Sequence, residues 1–179
     1  MSRTIEREYH LRLSPARLLE LLRLPDFTQA RLEAARRQEP VLLGHSATAN
    51  RVRLSAQYYT RRDELPGWMA SRFPEHGPQN TRAEDWTVSG DQLSATFTIT
   101  AEGNATEVEG TYTVVEAPAP ASAAGGEADG PGSVWRVRAT ATARIPVLGR
   151  RIEAVVLEGL DRAFALEAQE MSAQVVRNA

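Results

Sequence analysis

Apolar and polar side chains alternate with a period of two through most of this chain, and only its C-terminal part, residues 145–176, switches to a helical period. Residues 4–13 make a first strand, with Ile5, Tyr9, Leu11 and Leu13 in one phase and Glu6, Glu8, His10 and Arg12 in the other. Ser14-Pro15 reads as an N-cap with a first-turn proline, opening a short helix carried by Leu18, Leu19, Leu21 and Leu22 that ends before Pro25. A second short helix follows, capped by Asp26, packed through Phe27, Ala30, Leu32 and Ala34, and closed by Arg36, Arg37 and Gln38 before Pro40. Residues 41–48 and 51–60 form a hairpin about Ala49-Asn50. A two-residue turn puts Val41, Leu43, His45 and Ala47 on the same inward face as Val52, Leu54, Ala56 and Tyr58; a three-residue turn reverses them.

Residues 61–79 break the alternation, because Leu65-Pro66-Gly67-Trp68-Met69 and Phe73-Pro74 place bulky apolar groups in a turn-rich stretch with a short helical piece at 66–72. Such a segment is either a flap packed on the end of the sheet or a pocket lid or partner surface. Residues 81–88, 92–101 and 107–116 then form a meander. Its middle strand sets Leu93, Ala95, Phe97, Ile99 and Ala101 against Ser94, Thr96, Thr98 and Thr100, and the next carries Val108, Gly110, Tyr112 and Val114 in one phase. Residues 117–133 are mostly Ala, Pro, Gly and Ser without an apolar period, the composition of a flexible hairpin extension. The last strand, 134–145, turns Trp135, Val137, Ala139, Ala141, Ala143 and Ile145 inward. Its alanines remove bulk where a helix must pass, which either lets that helix dock closely or leaves space for a ligand.

The C-terminal run places Ile152, Val156, Leu160, Phe164, Met171 and Val175 on one side, flanked by Leu157, Ala163 and Ala168, with Glu158, Arg162 and Gln169 opposite. A helix of ~30 residues is roughly 45 Å long and needs a wide surface to cover its stripe. The strands supply one, and a curved antiparallel sheet wrapped around a helix tends to enclose a pocket.

Composition narrows the chemistry. With 179 residues and a net charge of -2, the chain is expected to be a single domain, 1–179, with a sizeable core. Cysteine and lysine are both absent, so thiolate and Schiff-base chemistry are excluded. All 21 basic residues are arginines dispersed among carboxylates, which gives no nucleic-acid footprint. No apolar run approaches the length of a membrane span and the N-terminus has no signal-peptide segment, so the expected address is the cytoplasm; membrane contact is not implied. No phosphate-binding, dinucleotide, nucleophile-elbow or zinc-protease motif occurs, and His10, His45 and His76 lie in separate elements, so neither a cofactor nor a metal is expected.

Taken together, the order is strand, two short helices, six strands and a long C-terminal helix. This order resembles the helix-grip fold of the START-like (SRPBCC) superfamily. More narrowly, Leu65-Pro66-Gly67 and Ile145-Pro146-Val147-Leu148-Gly149 running into Ile152-Glu153 resemble the bacterial DUF2505 family of unknown function. The resemblance implies an α+β fold in which a seven-stranded antiparallel sheet curls around the C-terminal helix, with a cavity between them in many relatives. It carries over no catalytic residues.

Polar residues on apolar faces are the remaining lead. Glu153 and Glu167 fall within the apolar sector of the helix, where each either points at a cavity or pairs with an arginine such as Arg7. The candidate cavity lining is Tyr9, His45, Tyr58, Trp68, Met69, Phe97, Tyr112, Ala139, Ala141, Glu153, Val156, Leu160 and Glu167. The expected function is non-catalytic binding of a hydrophobic or amphipathic small molecule such as a lipid or polyketide-like compound. A cyclase or hydrolase would need Glu153, Glu167 or His45 as acid or base. An interaction module would have a filled core and present Trp68 and Met69 to a partner or membrane. A pocket of roughly 300 Å³ or more favours ligand binding over that last class.

Overall fold

The computed structural model describes residues 2–104, 106–117 and 132–177. The alternating segments become β1 (Arg3–Leu11), β2 (Gln38–Ala47), β3 (Arg51–Tyr59), β4 (Gln79–Ser89), β5 (Gln92–Ala101), β6 (Thr106–Ala117) and β7 (Gly132–Ala143). All seven are antiparallel in one sheet, ordered β1-β7-β6-β5-β4-β3-β2. Helices α1 (Pro15–Leu22) and α2 (Pro25–Ala34) follow β1, the short α3 (Gly67–Ala70) lies between β3 and β4, and α4 (Gly149–Arg177) packs across β1 and β7. This is the helix-grip arrangement. No helix among the described residues is long and apolar enough to cross a membrane.

Local chemistry explains most boundaries. Ser14 caps α1, its Oγ accepting the Arg17 N–H at 3.2 Å. Asp26 does not cap α2, because Pro25 already occupies its first turn and Leu24 stands at the N-cap without a side-chain bond; Asp26 instead lies in the first turn, where the helix dipole favours it. The far end also differs from expectation, since α2 stops at Ala34 before the run of Arg36, Arg37 and Gln38. Arg36 adopts a left-handed conformation (φ 59°), and the Arg36 and Arg37 N–H groups donate back to Glu33 and Leu32 at 2.9 and 3.0 Å. This Schellman turn reverses the chain and carries Arg37 into the interior.

The hairpin of β2 and β3 has the two-residue turn near its tip, with Ala47 opposite Val52 and His45 opposite Leu54. A bulge between Leu42 and Gly44 then shifts the register. Val41 and Leu43, expected inward, are consequently exposed, and Leu42 packs on the core in their place. At the other edge, β7 ends at Ala143, so Ile145 belongs to the turn before α4. The pairing of β6 with β7 extends to Ala117 opposite Gly132; residues 118–131 of the anticipated hairpin extension lie outside the described residues.

Beneath α4 the inward phases meet in an aromatic cluster. Tyr112 stacks on Phe97 with centroids 4.3 Å apart and on Trp86 at 5.2 Å, while Phe164 from the helix meets Phe97, Tyr112 and Trp135 edge-on at 5.8 to 5.9 Å. Gly110, opposite Phe97 in the ladder, makes the stack possible, because a Cβ there would stand 2.4 Å from the Phe97 ring.

Candidate functional site

The two halves of α4 meet different surroundings. Its C-terminal half presses Phe164, Ala168 and Met171 into the solid core. Its N-terminal half, with Ile152, Val155, Val156, Gly159 and Leu160, forms one wall of a cavity of about 160 Å³. Tyr58, Ile99 and Val108 of the sheet form the opposite wall, and Leu65, Trp68, Met69 and Phe73 of the flap close the end. Gly159 has open space before it, since a Cβ there would meet no atom within 4 Å. The flap is held to α4 by the Arg151 guanidinium, 4.3 Å from the Trp68 ring centroid, and is braced internally by Arg62 Nε donating to the Ala70 carbonyl at 3.0 Å. Polar side chains, among them Thr60, Glu64 and Asn80, also border the cavity, and Arg37 and Tyr58 are the most buried of them.

Of the residues expected at a cavity, Tyr58, Trp68, Met69, Val156 and Leu160 line this one. The others lie elsewhere, each for an identifiable reason. Phe97 and Tyr112 are consumed by the aromatic stack. Ala139 and Ala141 are completely buried in the core cluster, so the alanine face of β7 serves close packing instead of a void. His45 points inward, but its ring Nε2 bonds the Leu22 carbonyl at 2.9 Å and joins β2 to the end of α1. Tyr9 donates to Asp161 Oδ1 at 3.0 Å, and the same carboxylate takes Arg7, whose Nη2 is 2.8 Å away. Arg7 is therefore not the partner of either buried glutamate. The hydrogen bond from Arg7 holds the Asp161 carboxyl below the ordinary aspartate range. Glu153 is buried and accepts the Ala143 N–H at 3.1 Å, where it pins the start of α4 to the end of β7.

Glu167 occupies a buried charge network that the apolar alternation concealed. Arg82 and Glu84 share the inward phase of β4 with Trp86, and an i, i+2 pair of opposite charges leading into an inward tryptophan was the available signal. Arg82 donates to Glu167 from Nη1 at 2.6 Å and Nη2 at 3.0 Å, and also to the Tyr112 hydroxyl at 2.9 Å. Arg31 of α2 donates to Glu84 at 2.9 Å and stands 3.6 Å from Glu167, while Trp86 Nε1 donates to Glu84 at 2.6 Å. Two arginines and two glutamates, none more than 3 % exposed, thus neutralise one another and join α2, β4 and α4. Burial pushes the Glu84 carboxyl up, but the fields of Arg31 and Arg82, with hydrogen bonds from Trp86 and Arg31, outweigh it and hold the group at about 2. None of the four lines the cavity. No group of three or more metal-ligating side chains occurs among the described residues.

Residues 6–174 match the family described as Protein of unknown function (DUF2505). The chain belongs to the DUF2505 family. No curated protein matches it by sequence. In three dimensions this DUF2505 protein is similar to the protein TTHA0849 from Thermus thermophilus, at 12% identity and a TM-score of 0.59 over 99% of both chains. It is similar also to the Zhui aromatase/cyclase from Streptomyces sp. R1128, at 10% identity and a TM-score of 0.56 over 98% of this chain and 96% of that one. Norcoclaurine synthase from Thalictrum flavum aligns at 11% identity and a TM-score of 0.53 over 100% and 89%. These likenesses are of fold, and they show that the DUF2505 protein shares its helix-grip arrangement with these three proteins.

Proposed function

We propose that this DUF2505 protein binds a small hydrophobic or amphipathic molecule in the cavity between α4, the flap and the sheet, without making or breaking its bonds. The partly enclosed, mostly apolar space beside Trp68 carries this reading, because a chain built only for partner contact would fill it with its own side chains. At about 160 Å³ the cavity falls short of the ~300 Å³ expected to favour ligand binding over an interaction module by size alone, so its apolar lining supports the reading and its volume narrows the ligand. A cavity of about 160 Å³ is comparable to an engineered cavity of ~150 Å³ that holds benzene, and falls below the ~300 Å³ of a typical drug-sized pocket. A single ring or a short acyl body fits this space; a whole lipid or polyketide chain does not. The norcoclaurine synthase structure, which holds dopamine and hydroxybenzaldehyde, supports a single-ring ligand in this fold.

The cyclase or hydrolase reading has less support, because Glu153, Glu167 and His45, the groups it needs, are engaged away from the cavity. Titration with toluene and benzyl alcohol, followed by NMR at Gly159 and the Met69 methyl, tests the binding reading. Saturable shifts at both positions are expected, with a rise in melting temperature equivalent to ~2.7 kcal/mol at a hundredfold excess over Kd. Absence of saturation by both probes would overturn it.

A further inference from the structure

Among the described residues, Arg37 is the one deeply buried charge at the cavity that has no opposite charge. It is 8 % exposed, its Nε has no hydrogen-bond partner, and no carboxylate lies within ion-pair distance of it among those residues. Its contrast with Arg31 and Arg82 is instructive, because those two guanidiniums are also buried but each meets a buried glutamate. The Schellman turn at Arg36 fixes where Arg37 enters the interior, and the Tyr58 ring, 5.1 Å from the guanidinium carbon, holds it from one side. Tyr58 also lines the cavity, and its hydroxyl bonds no described residue. Among the other charged side chains at the cavity, Arg162 is held by Glu158 at 2.8 Å, Arg72 and Glu102 are exposed, and Glu64 forms no ion pair with Arg37.

Only the Arg37 Nε is shut off from water; the terminal nitrogens keep some access, and a guanidinium so largely buried and left without an anion is less favourable than one with an anion beside it. Arginine offers a planar fork of donors that matches a carboxylate, and a phenol beside it adds a further donor. We infer that the ligand is a small monocarboxylic acid with a single-ring or short acyl body, its carboxylate held by Arg37 with Tyr58 beside it and its apolar body directed toward Gly159 and Trp68. This rests on the binding reading above and names the ligand's chemical class.

Benzoate and benzyl alcohol, matched in size and different in charge, separate the two readings. In the unmodified protein near neutral pH, benzoate is expected to bind on the order of tenfold more tightly than benzyl alcohol, measured by NMR titration. The preference should vanish in Arg37→Met, with saturation by benzyl alcohol showing that the variant is folded. Arg37→Lys keeps the charge but loses the fork, and should retain only part of the preference. Equal affinities in the unmodified protein, or a preference unchanged in either variant, would overturn the carboxylate assignment and leave the cavity reading standing. Failure of both probes to bind would remove both. If Arg37→Met does not fold, Arg37→Lys and the native ratio decide.

Discussion

Glu153, Glu167 and Gly159 sit on one helix, and the same angular reading puts both glutamates in the apolar stripe, yet their environments differ in kind. Glu167 answers two buried arginines, and Glu153 answers one backbone N–H. Removing the Glu167 charge leaves Arg82 and Arg31 with only Glu84, so Glu167→Gln is expected to destabilise by ~3–5 kcal/mol in urea unfolding. Glu84 gives the network its pH dependence. Its folded value of about 2 lies below the ordinary glutamate value of 4.5, so its contribution is fully present above pH 4.5 and is lost as pH falls toward 2. The shift corresponds to roughly 3 kcal/mol. Urea midpoints measured from pH 7 down to pH 2.5 should therefore stay level with respect to this group until about 4.5 and fall below it; in Glu84→Gln that acid-side component should be missing. The sequence showed that Glu167 faces inward but revealed neither Glu84 nor the cations that meet them, because Arg31 and Arg82 come from elements that pattern alone cannot bring together.

At the scale of elements, strand phase was almost entirely legible, because one buried face enforces alternation over many residues. The exceptions are places where backbone geometry overrides pattern. The bulge at Leu43 turns Val41 and Leu43 outward, and the left-handed Arg36 ends α2 ahead of its arginine run. The alanine face of β7 illustrates a different limit: small residues read alike whether they line a void or admit a neighbour, and only burial distinguishes the two. Ala141→Leu is accordingly expected to overpack the core and cost ~1–3 kcal/mol, with probe binding retained. Gly159 behaves oppositely. Its side faces open space, so Gly159→Ala should raise stability by up to ~1 kcal/mol through helix propensity, and Gly159→Leu should fill the cavity and abolish binding of a single-ring probe. Loss of stability in Gly159→Ala would show that the helix is closer to its neighbours than the cavity implies.

As a whole the molecule separates its aromatic and charged core from the cavity along the length of α4. The C-terminal half of the helix completes the aromatic stack and the charge network, and the N-terminal half roofs the cavity with help from a flap that holds only one well-buried side chain, Met69. Removal of the helix should therefore abolish cooperative folding, since burying Ile152, Leu157, Leu160, Phe164 and Met171 contributes on the order of 8–15 kcal/mol, comparable to a domain's net stability. The separation has a sharper consequence. Positions 159 and 167 are two turns apart, ~12 Å along the axis, beyond the range at which substitutions usually couple. Glu167 makes its contacts to Arg82 and Arg31, neither of which borders Gly159 or the cavity apart from the shared helix backbone. Combining Glu167→Gln with Gly159→Leu should thus give a stability change equal to the sum of the single changes within ~0.5 kcal/mol. Each single variant should also move only its own readout, with Glu167→Gln retaining saturable probe binding at temperatures where it is folded. A coupling well above that limit, or a Glu167→Gln variant that is folded but no longer binds, would mean that the charge network sets the shape of the cavity and that the two halves of the helix work as one unit.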